Sequence, residues 1–296
     1  MKFKLKASLL RRITQKLPLT GSIIRQFLNQ YDEIITFPDM PVVVSTKDNL
    51  CMFEIRDCRE YSQQSLYFLG YYELRETLLF KKLLRPGDTF VDIGANLGYF
   101  SVLAAHHVSP SGSIISFEPS SYLSEYLQQN VKNLNNSNLT IMTKLEKLAC
   151  SDENGYAVMR GTLKRNSGLG SIMPITNKSE DFGSEKVKTT KFDDYYLQSN
   201  LDKIRLIKID VEGAELKVLK GMKNILKQRV VEYIIVEVSD ARLQITGNSS
   251  AELLTLLRDC GYHLSRIGLF GTKPLKVNET VNFANILAEK SYRHSK

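Results

Sequence analysis

A regular alternation of short apolar segments with longer segments of helical period restricts the fold of this chain more than any other feature. The apolar pattern predicts strands at 89–93, 113–117, within 140–150, and at 206–209, 232–238, 263–267 and 282–288; the helical pattern predicts helices at 99–107, 122–133, 214–227 and 250–260. This alternation indicates an α/β fold with a doubly wound, mainly parallel sheet. Because no helix separates the last two strands, we expect an antiparallel C-terminal hairpin at one edge of a seven-stranded sheet.

The remainder of the chain divides around this pattern. Residues 1–40 form a basic N-terminal extension, and residues 41–84 carry a hairpin pattern followed by a helical pattern, expected to pack on the core. Residues 85–296 are predicted to be the catalytic domain. Inside it, residues 151–200 are polar and rich in Gly and Ser, and this interruption is too long for an idle connection. We interpret it as a lid or an acceptor-binding insertion.

Composition excludes several classes of protein. The chain has 296 residues, of which 43% are apolar and 24% charged, as in ordinary globular proteins. No apolar run approaches the about 18 residues of a membrane-spanning helix, and basic residues interrupt the start of the chain where a secretory signal core would lie. Four cysteines without C-x-x-C spacing indicate reduced thiols in a cytoplasmic protein. The four histidines lack zinc-ligand spacing.

The positive charge is concentrated at one end of the chain. Residues 1–30 contain seven Lys or Arg and no acidic residue, although the net charge of the chain is +8. The rest is nearly neutral, with 33 basic and 32 acidic residues. A nucleic-acid enzyme is expected to carry its basic patch around the site, so no nucleic-acid partner is predicted. The basic segment could contact an anionic membrane surface or a partner, or form a cap on the core, and the cap is favoured.

The turn after the first strand of the alternating region predicts a ligand site. Its sequence, VDIGANLGY at 91–99, places Gly94 and Gly98 where a helix begins. A dinucleotide fingerprint requires glycines at relative positions one, three and six, and here Asn96 and Tyr99 occupy the last two. No P-loop follows. Asp92 before a G-x-N-x-G turn suits a ligand with an ammonium group and no phosphate, such as the methionine end of S-adenosylmethionine.

Two later strand ends add candidate contacts. Glu118 lies 24 residues after Gly94, about the spacing at which an acid on the second strand meets a ribose. Its carboxylate can accept hydrogen bonds from both ribose hydroxyls. Asp152 follows the third strand, where a loop lies over the adenine in this architecture, although it could equally be an acid that caps a turn.

These motifs resemble the FkbM family of S-adenosylmethionine-dependent methyltransferases. The resemblance rests on FVDIGANLGYFSVLAA at 90–105, SFEPS at 116–120, LACSDENG at 148–155 and LIKIDVEGAELKVLKG at 206–221, and it covers about residues 70–290. It implies a class I Rossmann-like fold and O-methylation of sugars, polyketides or other secondary metabolites. By position, it also implies contacts to methionine (Asp92, Gly94, Asn96 and Gly98), to ribose (Glu118) and to adenine (Ser151 and Asp152).

Candidates for proton transfer lie at the ends of the fourth and fifth strands. Lys208 and Asp210 share one face of the fourth strand, and Glu237 ends the fifth. Two mechanisms stay open: one of these three side chains acts directly as the base, or Asp210 and Glu237, with Asp240, hold a Mg²⁺ that acidifies the acceptor hydroxyl. The direct mechanism is favoured. Glu215 is interpreted as structural, because an acid in the first turn of a helix favours the macrodipole.

Three rival functions follow from the same fold. The failed glycine spacing disfavours an oxidoreductase. A methyltransferase acting on nitrogen or nucleic acid typically has an N-P-P-Y-like turn after the fourth strand, whereas this chain has Asp210-Val211-Glu212-Gly213. The last rival is a non-catalytic module that binds S-adenosylmethionine without turnover. The intact acidic and glycine positions favour an active enzyme.

Overall fold

The computed structural model describes residues 5–17, 21–31, 34–134, 139, 141–162, 166–172 and 184–291. The strands are β1 (Leu5–Lys6), β2 (Ile35–Thr36), β3 (Val42–Ser45), β4 (Met52–Ile55), β5 (Thr89–Ile93), β6 (Ser113–Phe117), β7 (Met142–Glu146), β8 (Ala149–Cys150), β9 (Gly155–Thr162), β10 (Asn166–Ile172), β11 (Ser184–Thr190), β12 (Ile204–Ile209), β13 (Val231–Ser239), β14 (Tyr262–Gly268), β15 (Gly271–Pro274) and β16 (Phe283–Lys290). The helices are α1 (Ala7–Thr14), α2 (Gly21–Tyr31), α3 (Tyr61–Leu69), α4 (Leu74–Leu83), α5 (Tyr99–Val108), α6 (Ser121–Leu134), α7 (Phe192–Gln198), α8 (Glu215–Gly221), α9 (Lys223–Gln228), α10 (Asp240–Ile245) and α11 (Ser250–Asp259).

The central sheet has the predicted doubly wound form. Its strand order is β15-β14-β16-β13-β12-β5-β6-β7, and the five strands from β13 to β7 are parallel. β16 and β14 run antiparallel to their neighbours, which confirms the C-terminal hairpin. The prediction of seven strands was wrong by one, because β14 turns back through two residues and pairs with the short β15. The strand order reverses beside β5, where open α/β sheets bind their ligands.

Apolar side chains cover both faces of this sheet. Along β5, Phe90 belongs to one buried cluster, and Val91 and Ile93 belong to the other. Because neighbouring residues of a strand point to opposite faces, the two clusters lie on opposite sides of the sheet. This burial explains the nearly continuous apolar character of β5, which is typical of parallel strands.

The single helix predicted at 214–227 is instead two helices, α8 and α9. They meet at Met222, whose φ of −122° and ψ of 16° lie outside the helical region. The carboxylate of Asp193 accepts hydrogen bonds from the backbone N–H groups of Asn224 and Ile225, both at 3.0 Å. A buried acid therefore caps a new helix start, and this contact comes from a distant part of the sequence.

The N-terminal helices pack on α3. Ala7 and Leu10 of α1 and Ile24 and Leu28 of α2 are buried in the same cluster as the side chains of α3. The opposite side of α1 is exposed and carries the apolar residues Leu9 and Ile13. No helix in the described ranges is both long enough and apolar enough to cross a membrane.

The interruption at 151–200 contains a second, smaller sheet. Its strand order is β10-β9-β11-β8, with β9 antiparallel to both β10 and β11. Residues 163–165 and 173–183 of this segment lie outside the described residues. Its role as a lid or acceptor-binding insertion stays a prediction.

Because α8 lies very close to the loop after β8, we expect a substitution at Gly221 of α8 to lower the stability of the protein. A Cβ added at Gly221 would lie 1.9 Å from the carbonyl oxygen of Ser151. Gly→Ala at a compatible site usually stabilises a protein by about 0.4–1 kcal/mol, but here we expect a loss of about 2 kcal/mol or more. Urea unfolding of Gly221→Ala measures this change.

Gly247→Ala is the matched control. Gly247 has a positive φ of 74° but no atom within 4 Å of the added Cβ, so backbone strain alone should cost about 1 kcal/mol. A Gly221→Ala protein as stable as the wild type would contradict the predicted contact.

Candidate active site

The carboxyl ends of four central strands open into a cavity of about 740 Å³. Side chains at the ends of β5, β6, β12 and β13 form its floor, and α3, α4 and the start of α2 contribute the other walls. The predicted residues Asp92, Gly94, Asn96, Glu118, Lys208, Asp210 and Glu237 all line it. The fold therefore brings together side chains that lie up to 145 positions apart in the sequence.

The turn after β5 is held tightly between its neighbours. Gly94 has a φ of 84°, and a Cβ there would lie 1.9 Å from the carbonyl oxygen of Asp210. Asn96 also adopts a positive φ, of 52°. Gly98 lies outside the cavity lining, and an added Cβ would meet Leu127 of α6 at 2.5 Å. The two glycines therefore permit close packing of the chain, and Gly94 in addition borders the cavity.

Asp92 is buried and held by a short hydrogen-bond chain. The hydroxyl of Ser101 donates to Asp92 Oδ2 at 2.6 Å, and Ser101 Oγ lies 2.8 Å from Ser116 Oγ. Burial raises the pKa of Asp92 to about 6, although the Lys208 ammonium acts in the opposite direction.

Glu118 connects two loops at the cavity floor. Its Oε2 accepts a hydrogen bond from the N–H of Asn96 at 2.8 Å, and its Oε1 accepts one from the N–H of Ser120 at 3.0 Å. Burial raises the pKa of this carboxyl to about 7, against the lowering effect of both hydrogen bonds. The side chain is thus fixed in place and faces the cavity.

Ser151 and Asp152 lie outside the cavity lining. Ser151 Oγ donates to Asp152 Oδ1 at 3.0 Å, and both residues pack beside Gly221. The preceding residues 148–150 border the cavity instead. The cavity wall here is therefore formed by β8 and the residue before it, and the adenine contacts of Ser151 and Asp152 stay a prediction.

A cluster of charges occupies the ends of β12 and β13. Lys208 Nζ lies 2.7 Å from Asp210 Oδ2 and 3.5 Å from Glu73 Oε2. Carboxylate oxygens of Glu73, Asp210 and Glu237 all lie within 4.8 Å of one another. Burial alone would lower the pKa of Lys208, but the carboxylates of Asp210, Glu73 and Asp92 outweigh it and raise that pKa. Lys208 is therefore an ammonium ion within this cluster.

Arg242 carries the second positive charge of the site. Its Nη1 lies 2.6 Å from Glu237 Oε1 and also contacts the carboxylate of Glu212. Burial and the charge of Asp210 raise the pKa of both glutamates. Asp240, by contrast, does not join the cluster, because its carboxylate accepts hydrogen bonds from Ser250 and Gln244.

Glu73 is the functional candidate that sequence analysis missed. It precedes α4 with a φ of 44°, a left-handed conformation that is costly for a non-glycine residue. Its buried Oε2 forms an ion pair with Lys208 Nζ at 3.5 Å but accepts no hydrogen bond among the described residues. In the sequence it is one acid in a helical pattern, and no spacing signal connects it with β12.

Glu215 has the structural role predicted for it. Its carboxylate accepts hydrogen bonds from the backbone N–H groups of Gly213 and Val211, at distances between 3.0 and 3.3 Å. It therefore caps the start of α8, and it is not among the residues that line the cavity.

The doubly wound sheet, the glycine turn after β5 and the acid after β6 together define a class I S-adenosylmethionine-dependent methyltransferase. The family can be stated as well. The chain belongs to the FkbM methyltransferase family, because the family model, described as the methyltransferase FkbM domain, matches residues 92–264, more than half of the chain.

Curated relatives share 27% identity with this chain. FkbM of Streptomyces tacrolimicus, a 31-O-demethyl-FK506 methyltransferase, aligns over 204 residues, which are 60% of this chain and 74% of that protein. AglP of Haloferax volcanii, a hexuronic acid methyltransferase, aligns over 194 residues, 60% of this chain and 70% of that protein. A solved structure of methyltransferase FkbM from Methylobacillus flagellatus KT aligns with a TM-score of 0.43 and 14% identity, covering 79% of this chain and 56% of that one.

The raised pKa values of the buried acids predict how the stability of the protein depends on pH. Burial raises the pKa of Asp92 to about 6 and that of Glu118 to about 7, so between about pH 4 and 7 the folded protein binds more protons than the unfolded chain. The ligand-free protein should therefore lose stability as the pH rises through this interval. Thermal unfolding at a series of pH values measures the loss.

Glu118→Gln should flatten this pH dependence. Removing the carboxyl should reduce the loss by on the order of 2 kcal/mol, because the amide does not titrate. An unchanged slope in the variant would contradict the assignment of a raised pKa to Glu118.

Proposed function

We propose that this chain is an S-adenosylmethionine-dependent O-methyltransferase that acts on a hydroxyl of a sugar, a glycan or glycolipid, or a secondary metabolite. The observation that carries this proposal is the acidic cluster at the ends of β12 and β13, which shares one cavity with the turn after β5. A hydroxyl placed there meets carboxylates that can take its proton.

The residues around the turn after β5 suit the cofactor. Asp92 offers a carboxylate to the ammonium group of the methionine portion, and Glu118 offers oxygen acceptors to the ribose hydroxyls. Apolar side chains on the same side of the cavity, including Phe117 and Leu123, suit the adenine. S-adenosylmethionine supplies a methyl group that is already activated by its sulfonium. Gly98, Ser151 and Asp152, for which the family resemblance implies cofactor contacts, lie outside the cavity lining and are proposed to support its wall from behind.

Asp210 is the proposed base. It ends β12 at the cavity floor, and Lys208 holds its carboxylate at 2.7 Å. Because nearby carboxylates raise the pKa of Lys208, this side chain orients Asp210 and balances charge rather than accepting a proton itself. Glu73 and Glu237 border the same position and are proposed to orient the acceptor hydroxyl.

A magnesium ion is the alternative to a direct base. Glu73, Asp210 and Glu237 offer the oxygen ligands that Mg²⁺ prefers. Lys208, however, places an ammonium group within ion-pair distance of two of these carboxylates and already offsets part of their charge. We therefore propose the direct mechanism, in which methyl transfer is fully retained after exhaustive treatment with EDTA. Loss of transfer that Mg²⁺ restores would favour the metal mechanism.

The names of the relatives support an oxygen acceptor. One acts on 31-O-demethyl-FK506 and another on a hexuronic acid. The alternatives are an acceptor nitrogen, a nucleic-acid acceptor, or binding without turnover. A transfer assay with labelled S-adenosylmethionine across hexuronic acids, neutral sugars, glycolipids and small phenols tests the oxygen acceptor against these alternatives. Incorporation into none of these acceptors would contradict the proposal.

The cofactor contacts can be tested by calorimetry with S-adenosylhomocysteine. We expect Asp92→Ala and Glu118→Ala each to weaken binding about tenfold or more, because each variant removes a carboxylate that accepts hydrogen bonds from the ligand. Asp193→Ala is the matched control: this buried acid also accepts two backbone hydrogen bonds, but it lies outside the cavity. The control should lower stability and leave the affinity of the folded protein unchanged. Wild-type affinity in both Asp92→Ala and Glu118→Ala would contradict the site.

The proton-transfer residues are tested by separating binding from transfer. Asp210→Asn should retain S-adenosylhomocysteine and lower the rate of methyl transfer about 100-fold or more, because the amide cannot accept a proton. Glu73→Gln should retain binding and reduce transfer less severely. Full transfer by Asp210→Asn would exclude Asp210 as the base.

A further inference from the structure

The turn between β14 and β15 has an unusual composition. Gly268 pairs with Gly271, so only Leu269 and Phe270 form the tip of this hairpin. Two-residue turns usually consist of Gly, Asn, Asp or Ser, which satisfy the local backbone geometry. Here the tip instead presents two large apolar side chains, and Phe270 is 98% exposed. Turn geometry does not account for this choice.

This tip stands at the entrance of the active-site cavity. Leu269 lines the cavity, and so does Phe283, which begins the adjacent strand β16 and is 60% exposed. The start of α2 also borders the cavity, through residues that include Arg25, and Ile23 in the same turn is half-exposed. We call these five residues, Ile23, Arg25, Leu269, Phe270 and Phe283, the mouth rim. A cluster of exposed apolar residues at a cavity entrance is a feature of interaction surfaces.

Both N-terminal helices pack on α3, which forms a wall of the cavity, and they carry positive charge. Residues 1–30 hold seven Lys or Arg and no acidic residue. Leu9 and Ile13 of α1 and Leu17, three residues after its end, are exposed and recur every four residues, and Arg12 and Lys16 are also exposed. Exposed apolar side chains combined with basic residues are the pattern by which proteins attach to the surface of an anionic bilayer.

We propose that the mouth rim docks on an anionic membrane surface. Phe270 and Leu269 enter the boundary between headgroups and acyl chains, and the basic residues of α1 and α2 contact anionic headgroups. Charge favours a membrane over a protein partner, because every charged residue in the described ranges 5–17 and 21–31 is basic. This placement also identifies the acceptor class, and that step rests on the proposed function. Because the cavity then opens toward the headgroups, its acceptor is a glycan carried by a lipid.

Vesicle sedimentation with the full-length chain tests the docking. The chain should bind phosphatidylcholine vesicles that contain about 30% phosphatidylglycerol, and it should bind pure phosphatidylcholine vesicles about tenfold more weakly. The double variant Leu269→Ser with Phe270→Ser should lose about tenfold in binding to the anionic vesicles, because it no longer buries two apolar side chains. Arg12→Gln with Lys16→Gln should reduce binding and its dependence on salt.

Leu197→Ser is the matched control. Leu197 of α7 is 78% exposed and lies outside the cavity lining, so this variant should bind vesicles like the wild type. Absence of binding to anionic vesicles, wild-type binding by the hairpin variant, or an equal loss in Leu197→Ser would overturn the proposal. So would a rim that drives self-association, seen in analytical ultracentrifugation, without vesicle binding.

The docking is measured without cofactor or acceptor. Failure of vesicle binding is therefore distinct from failure of the methyltransferase function, which calorimetry with S-adenosylhomocysteine and the transfer assay report separately. The hairpin variant should keep the thermal unfolding midpoint of the wild type, which excludes general loss of folding.

Discussion

The close approach of β5 and β12 at their carboxyl ends is the constraint on which the site depends. The N–H of Asp210 donates to the carbonyl of Ile93, and the N–H of Gly94 donates to the carbonyl of Phe117 on the other side, both at 3.0 Å. The chain after β5 is thus fixed between two neighbouring strands. Only a residue without a Cβ fits at Gly94, where the Asp210 carbonyl fills the space. The same packing that closes the sheet therefore brings Asp210 beside the turn after β5.

This arrangement concentrates negative charge in a partly enclosed space. Burial raises the pKa of several acids at the cavity floor, which means that the fold holds them at a cost in stability. Lys208 and Arg242 offset only part of the charge. Such a cavity favours a cationic ligand, since a positive charge restores the interactions that the carboxylates lose on leaving water. The electrostatics and the geometry of the turn after β5 therefore favour the same cofactor.

The sequence predicted the sheet more completely than the site. Strand periodicity and the length of the intervening segments determine the order of elements, so the central strands and the C-terminal hairpin followed directly. The break between α8 and α9 did not, because the cap at Asn224 comes from Asp193 on another helix. Sequence spacing pointed to the loop after β8, whereas β8 itself and the residue before it border the cavity. Glu73 was missed because only tertiary packing brings it to Lys208.

The division of the chain explains why the acceptor is harder to infer than the cofactor. The family model covers residues 92–264, and this part supplies the residues proposed for the cofactor and Asp210. Glu73, the start of α2 and Phe283 lie outside it and form the opposite wall and the entrance. The acceptor must pass this wall to reach the cavity. The residues that select the acceptor therefore lie in the part of the chain that the family model does not cover. Relatives with the same cofactor site can therefore accept hydroxyls on very different molecules.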